Sequence, residues 1–306
     1  MTDLILHHYP MSPFSQKIRT MLGYAGIPWQ SSVTKEAPPR PVLAALAGGY
    51  RKVPIAQIGA DVFCDTRIIA AEIAAHCNKP ELALENCSQE AQDWAQRADL
   101  DVFFACVLTG GSKKLKRKVL KSMSLISIVR FLFDRINMGR NASIKIVNPK
   151  HARPKVMAYL ADLEPRFTDD FLFGSAPCHA DFSTYHGLWF IRDLGERRMI
   201  DDFPKTIAWM DRMKAFGDGK FTAIKPQQSI IIARKATPRA IPEEHKKDPL
   251  IGKRVTIAPN DYAQEPSQGV LVGATPMRWI ITRESKEVGT VNVHFPKQGY
   301  VLSQDI

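Results

Sequence analysis
The chain has 306 residues, enough for two domains or two plus an appendage, and its 45% apolar and 24% charged residues exclude disorder as the main state. A formal net charge of +11 is spread along the chain, which argues against a dedicated nucleic-acid module, and no apolar run approaches the ~18 residues of a membrane span. Met1-Thr2-Asp3 lacks the basic start of a secretory leader, and the five cysteines form no CxxC pair, so reduced thiols in the cytoplasm are the plain reading.

Residues 1–80 alternate strand and helix signals. Leu4 to Tyr9 reads as a strand ended by Pro10. A helix follows from Ser12 to Ala25, with Pro13 at its first position, Ser12 as cap, and Ile18, Met21, Leu22 and Ala25 at helical spacing. Gln30 to Val33 is a second strand and Arg40 to Ala47 a short helix. Lys52 to Ile58 and Val62 to Cys64 are two more strands, joined by the turn Gly59-Ala60-Asp61, and Asp65-Thr66 opens a helix to about His76. The order is βαβαββα.

Residues 81–225 read as helical throughout, with helices over 89–107, 120–136, 154–163, 182–193 and 204–216 sharing one core. Residues 226–248, interrupted by Pro226, Pro238 and Pro242, read as a linker. The period then changes to two. Strands over 254–258, 269–274, 277–283, 289–295 and 300–302 make residues 249–306 a small β-rich module, a sheet or barrel.

Ser12-Pro13-Phe14-Ser15, Lys52-Val53-Pro54 and Asp65-Thr66, in this order and spacing, resemble the cytosolic glutathione transferases. The resemblance covers residues 1 to about 225. It implies a thioredoxin-like glutathione-binding α/β domain over 1–80 and an all-α domain over 81–225, with 249–306 as an addition. It also implies glutathione as co-substrate, a small electrophile as second substrate, a homodimer, a role in detoxification, and no metal.

Each motif has a chemical reason. Serines at both ends of the first motif exclude dithiol redox chemistry, but a Ser12 hydroxyl can donate to a bound thiolate. A thiol of pKa about 8.5 is only a few per cent ionised at pH 7. A hydrogen bond to the charged sulfur contributes roughly 1.5–3 kcal/mol, or about one to two pKa units, and the helix dipole roughly 0.3–1 kcal/mol more. Read by itself, Ser12 is also simply an N-cap. Val53-Pro54 alone reads as an ordinary trans proline at a strand start. The resemblance implies a cis bond, with the Val53 backbone pairing a bound tripeptide as an added strand. Lys52 either meets a glutathione carboxylate or is a surface lysine. Thr66, with a free N–H at a helix start, suits the γ-glutamyl carboxylate, and Asp65 suits the neighbouring ammonium.

Other features carry less. In the family a Ser/Thr-x-x-Asp box precedes a buried helix; here Cys178-His179-Ala180-Asp181 keeps only the aspartate, which can bond back to the residue 178 N–H. His7 and His8 face opposite sides of a strand and do not suit a metal. Cys64 reads as a core thiol, Tyr9 as a second-choice hydroxyl, and Phe103, Phe104, Trp189 and Phe190 as core. The cations between Lys113 and Lys121 read as a solvated helix face or loop, with a site for acidic ligands, nucleic acid or an anionic membrane surface as the alternative. The competing function is a non-catalytic scaffold acting through protein partners, suggested by residues 249–306.

Overall fold
The structure, a computed structural model, describes residues 4–140, 143 and 147–304. Met1–Asp3, read above for a leader, lie outside the described residues. The first eighty residues give β1 (Leu4–His8), α1 (Pro13–Ala25), β2 (Trp29–Val33), α2 (Pro41–Ala47), β3 (Ile55–Ile58), β4 (Asp61–Cys64) and α3 (Thr66–Cys77), in the expected order. Local chemistry sets the ends of α1. The Ser12 hydroxyl accepts the Ser15 N–H at 3.2 Å, Pro13 takes the first turn, and Gly26 stops the helix at φ 71° with its N–H on Leu22 O.

The helical region holds α4 (Gln89–Gln96), α5 (Phe103–Gly110), α6 (Lys113–Ser122), α7 (Leu125–Arg140), α8 (Pro149–Leu163), α9 (His179–Trp189) and α10 (Pro204–Ala215). The helix expected over 89–107 is broken by a π-helical segment, Arg97–Val102, between α4 and α5. The one expected over 120–136 is two helices. Met123 is extended, and Ser124 caps a fresh start through the Ser127 N–H at 3.2 Å. The helix α8 begins at an Asn148 cap rather than at Pro154, which sits inside it.

Beyond the bundle, β5 (Phe221–Ile224) pairs parallel to β2. The stretch 226–248, expected as a linker, carries α11 (Pro226–Lys235), which packs on α2. The five expected C-terminal strands are present as β6 (Arg254–Pro259), β7 (Ser267–Ala274), β8 (Arg278–Ser285), β9 (Gly289–Pro296) and β10 (Tyr300–Gln304). They form no barrel. β9 pairs parallel to β4, with Val62 opposite Val293, so that one ten-stranded sheet runs β10-β6-β7-β8-β9-β4-β3-β1-β2-β5.

Alternate residues of the shared strands feed two cores, as the two-residue period requires. Ala56 and Phe63 face α1, α3 and the bundle, while Ile55, Val62 and Cys64 join Leu43, Leu46, Ala233, Val291 and Phe295 on the other side. The junction is polar as well. The His294 ring lies 4.7 Å from Phe63, and its Nε2 is 3.0 Å from Asp61 Oδ1. Burial alone would raise the Asp61 carboxyl, but hydrogen bonds from His294 and the Arg239 N–H outweigh it and hold the group low.

Candidate active site
The start of α1, the turn before β3 and the start of α3 meet at one end of the sheet. The Val53–Pro54 bond is cis. Neither the N–H nor the C=O of Val53 has a backbone partner among the described residues, which leaves both open to an added strand. Asp65 caps α3 by accepting the Arg67 N–H at 3.0 Å, and its φ of 79° is unusual for a residue with a side chain. Such a conformation costs on the order of 1–3 kcal/mol and persists only where neighbours fix it. The Thr66 N–H beside it lies in the first turn and has no intrahelical acceptor.

These residues line a cavity of about 380 Å³, with Lys52, Val53, Pro54, Asp65 and Thr66 all on its wall. Its far side is made by the C-terminal strands, which no sequence motif announced. Asp261, in the turn after β6, takes Lys52 Nζ at 2.6 and 2.8 Å on its two oxygens, and the same Nζ sits 4.2 Å from the Tyr262 ring centre. Lys52 is therefore not a free surface lysine. Tyr300, at the start of β10, donates to Asp65 Oδ2 at 3.0 Å and lies 3.1 Å from the Tyr50 hydroxyl. With its one proton on the carboxylate, Tyr300 accepts from Tyr50. Burial drives both phenols well above their ordinary range, so both remain donors.

At the floor lies a network that sequence reasoning also missed. Lys17 on α1, its side chain 1% exposed, places Nζ 2.7 Å from Asp99 Oδ2. The other Asp99 oxygen lies 2.8 Å from His186 Nε2, and Ser183 Oγ donates to Oδ2 at 3.1 Å. Asp99 sits in the π-helical segment, a distortion that often marks functional positions. Burial would raise its carboxyl, but Lys17 and His186 outweigh that and hold it well below the usual range. Burial in turn lowers His186 against the pull of Asp99. A lysine on an otherwise buried stretch of α1 was the available signal, because a buried ammonium requires a partner.

Ser12 does not line this cavity. It lines an adjoining one of about 430 Å³, whose wall includes Met11, Phe103, Phe104, Leu115, Phe131 and Phe190. Phe14, Lys52, Val53 and Tyr262 belong to both, so the two spaces share a seam. Ser12 is 3% exposed, and among the described residues nothing accepts its hydroxyl proton. Tyr9 lines the same cavity. The aromatic residues Phe103, Phe104 and Phe190, expected as core rather than as a substrate box, are cavity walls, because the bundle helices leave a gap beside α6 and α7. Trp189 packs against the core as expected.

The lesser features fall into place structurally. His7 and His8 are buried, and burial lowers them to about 4 and about 3. Cys64 is a buried free thiol that burial drives well up. Asp181 returns the bond to the Cys178 N–H at 3.0 Å and also accepts from Leu172 N and Trp209 Nε1; burial lifts it to about 6 against these donors. No described helix is long and apolar enough to cross a membrane, and no described group of His, Cys, Asp and Glu would hold a metal.

Residues 6–81 match the family model for the glutathione S-transferase N-terminal domain. A glutathione S-transferase-like protein from Pseudomonas syringae has 32% sequence identity, covers 99% of this chain and 100% of its own, and superposes with a TM-score of 0.77. More remote structures include a glutathione S-transferase from Sinorhizobium meliloti, with 18% identity over 71% of this chain and 90% of its own and a TM-score of 0.49. Another is a family member from Pseudomonas fluorescens with two glutathione bound, with 14% identity over 71% and 90% and a TM-score of 0.48. No curated protein matches the chain.

Proposed function
The chain belongs to the glutathione S-transferase family, as its similarity to the Pseudomonas syringae protein shows, and from that premise we propose that it is a glutathione transferase. It binds a glutathione-type thiol between residues 52 and 66 and adds the sulfur to a small, apolar electrophile. The carrying observation is the seam. Val53, with its open backbone, borders both the cavity holding Asp65 and Thr66 and the apolar cavity holding Ser12.

The fit can be followed group by group. Asp65 receives the γ-glutamyl ammonium, and the start of α3 at Thr66 receives the adjacent carboxylate. The cysteinyl residue pairs with Val53 as an added strand. Its sulfur then stands at the seam, where the uncommitted Ser12 proton donates to it. The thiol proton leaves to solvent, the Ser12 hydroxyl and the helix start stabilise the thiolate, and the sulfur bonds the electrophilic atom as the leaving group departs. The aromatic and aliphatic walls around Ser12 exclude water and favour an apolar acceptor. Lys52 is the one expected contact that does not fit a free carboxylate, because Asp261 already holds it.

A homodimer and a cytoplasmic location belong to the same reading; the described cysteines are all free, as a reducing compartment keeps them. Scattering mass in solution decides between one chain and two. Calorimetry with glutathione, paired with a conjugation assay on wild type and Ser12→Ala, tests the chemistry. Binding with a large loss of rate in the variant supports the reading. Absence of heat at millimolar concentration with both glutathione and its glycine carboxamide refutes it and leaves a partner-binding scaffold.

A further inference from the structure
The C-terminal strands place a carboxylate where a glutathione terminus would need a cation. The Lys52–Asp261 pair is 13% and 17% exposed, and both residues face the cavity. Asp261 does not hang free. Its turn is tied down where the Asn260 N–H meets Gly299 O at 3.0 Å, where Ser143 N donates to Asp261 O at 2.7 Å, and where Arg51 grips Glu265 at 2.5 Å. Glu265 is followed by Pro266, whose carbonyl lies against Gly49 so closely that a Cβ there would stand 2.0 Å away.

The cavity wall carries three formal cations, Lys17, Lys52 and Arg67. Against them stand four carboxylates, Asp65, Asp93, Asp99 and Asp261, a formal balance of −1. Lys17 and Lys52 are each spent on one of these carboxylates, and Arg67 bonds Gln298. A peptide that brings two carboxylates and one ammonium finds Arg67, whose partner Gln298 is neutral, beside the Thr66 helix start for its γ-glutamyl carboxylate, while a second carboxylate at the other end of the peptide meets the Lys52–Asp261 pair.

We propose that Asp261 makes this groove selective for a glutathione-type thiol whose C-terminal carboxyl is amidated, over glutathione itself. The inference rests on the reading of the groove given above. A neutral carboxamide leaves the Lys52–Asp261 pair intact and can donate its N–H to the Asp261 carboxylate. A free carboxylate must either sit against Asp261 or break the pair.

Calorimetry on the full-length protein with glutathione and with its glycine carboxamide tests this directly. Wild type is expected to bind the amide more tightly by on the order of tenfold, as befits a like-charge contact in a partly buried site. In Asp261→Asn, confirmed folded by its melting curve, Lys52 is released, glutathione binding strengthens, and the preference falls to about twofold or reverses. Equal affinities in wild type, or tighter binding of glutathione, overturn the inference while leaving the thiol-binding reading intact. Failure of both peptides to bind overturns that reading, and this inference with it. The wild-type ratio decides the matter even where the variant does not fold.

Discussion

Replacing Asp99 by asparagine keeps the shape of the floor network and removes its charge. The Lys17 side chain, 1% exposed, then holds its ammonium beside a neutral amide, with the charge of its 2.7 Å partner gone. Breaking a buried pair on one side costs about 3–5 kcal/mol. Asp99 itself is 21% exposed, so water reaches that end, and the lower figure of about 3 kcal/mol applies. At about 2–4 °C per kcal/mol, the melting temperature should fall by roughly 6–12 °C. Lys17→Met should cost less, about 1–2 kcal/mol, because His186 and Ser183 still bond the carboxylate. Thermal and urea melts of both variants measure these changes. A shift of less than about 2 °C for Asp99→Asn, or a greater loss for Lys17→Met, would refute the reasoning that one buried ammonium depends on this carboxylate.

Acid should destabilise the protein before most of its carboxylates titrate; Asp181, lifted to about 6, takes its proton in the folded state first and offsets roughly one histidine. Burial lowers His7 to about 4 and His8 and His179 to about 3. The unfolded rings therefore bind protons below about pH 6.5 while the folded ones do not, and stability is lost as pH falls through that window, by about 3 kcal/mol per ring at pH 4. A melting temperature that is flat between about pH 7 and 4.5 would contradict this. Gly49→Ala should push the Pro266 carbonyl away, because the added Cβ has no space. Faster amide exchange at Asn260, whose N–H bonds Gly299 O, reports the displaced turn; unchanged exchange would mean the clash is absorbed elsewhere.

The N-terminal half of the site was legible because its determinants are local. Ser12 with Pro13 specifies a capped helix start, and Asp65-Thr66 another, and the strands between them follow from apolar spacing. The strands after residue 250 were legible individually from their two-residue period. Their placement was not, because pairing β9 with β4 depends on contacts such as Asp61–His294 that span 233 residues. For the same reason nothing near Lys52 announced Asp261, and Tyr300 could not be connected to Asp65. The break at Met123 was hidden because apolar residues continue through it at helical spacing, while a single serine hydroxyl decides where the next helix starts. The apolar cavity was hidden because an aromatic side chain on a helix face has the same spacing whether it meets another helix or a gap.

The reading turns on the ionisation of a thiol held at the seam. Ultraviolet absorbance of the thiolate, followed against pH with the peptide bound at saturation, measures it in wild type and in Ser12→Ala. The bound thiol should ionise about one to two units below its free value in wild type and return most of the way in the variant. Identical ionisation curves for the two proteins would contradict a donating role for the Ser12 hydroxyl.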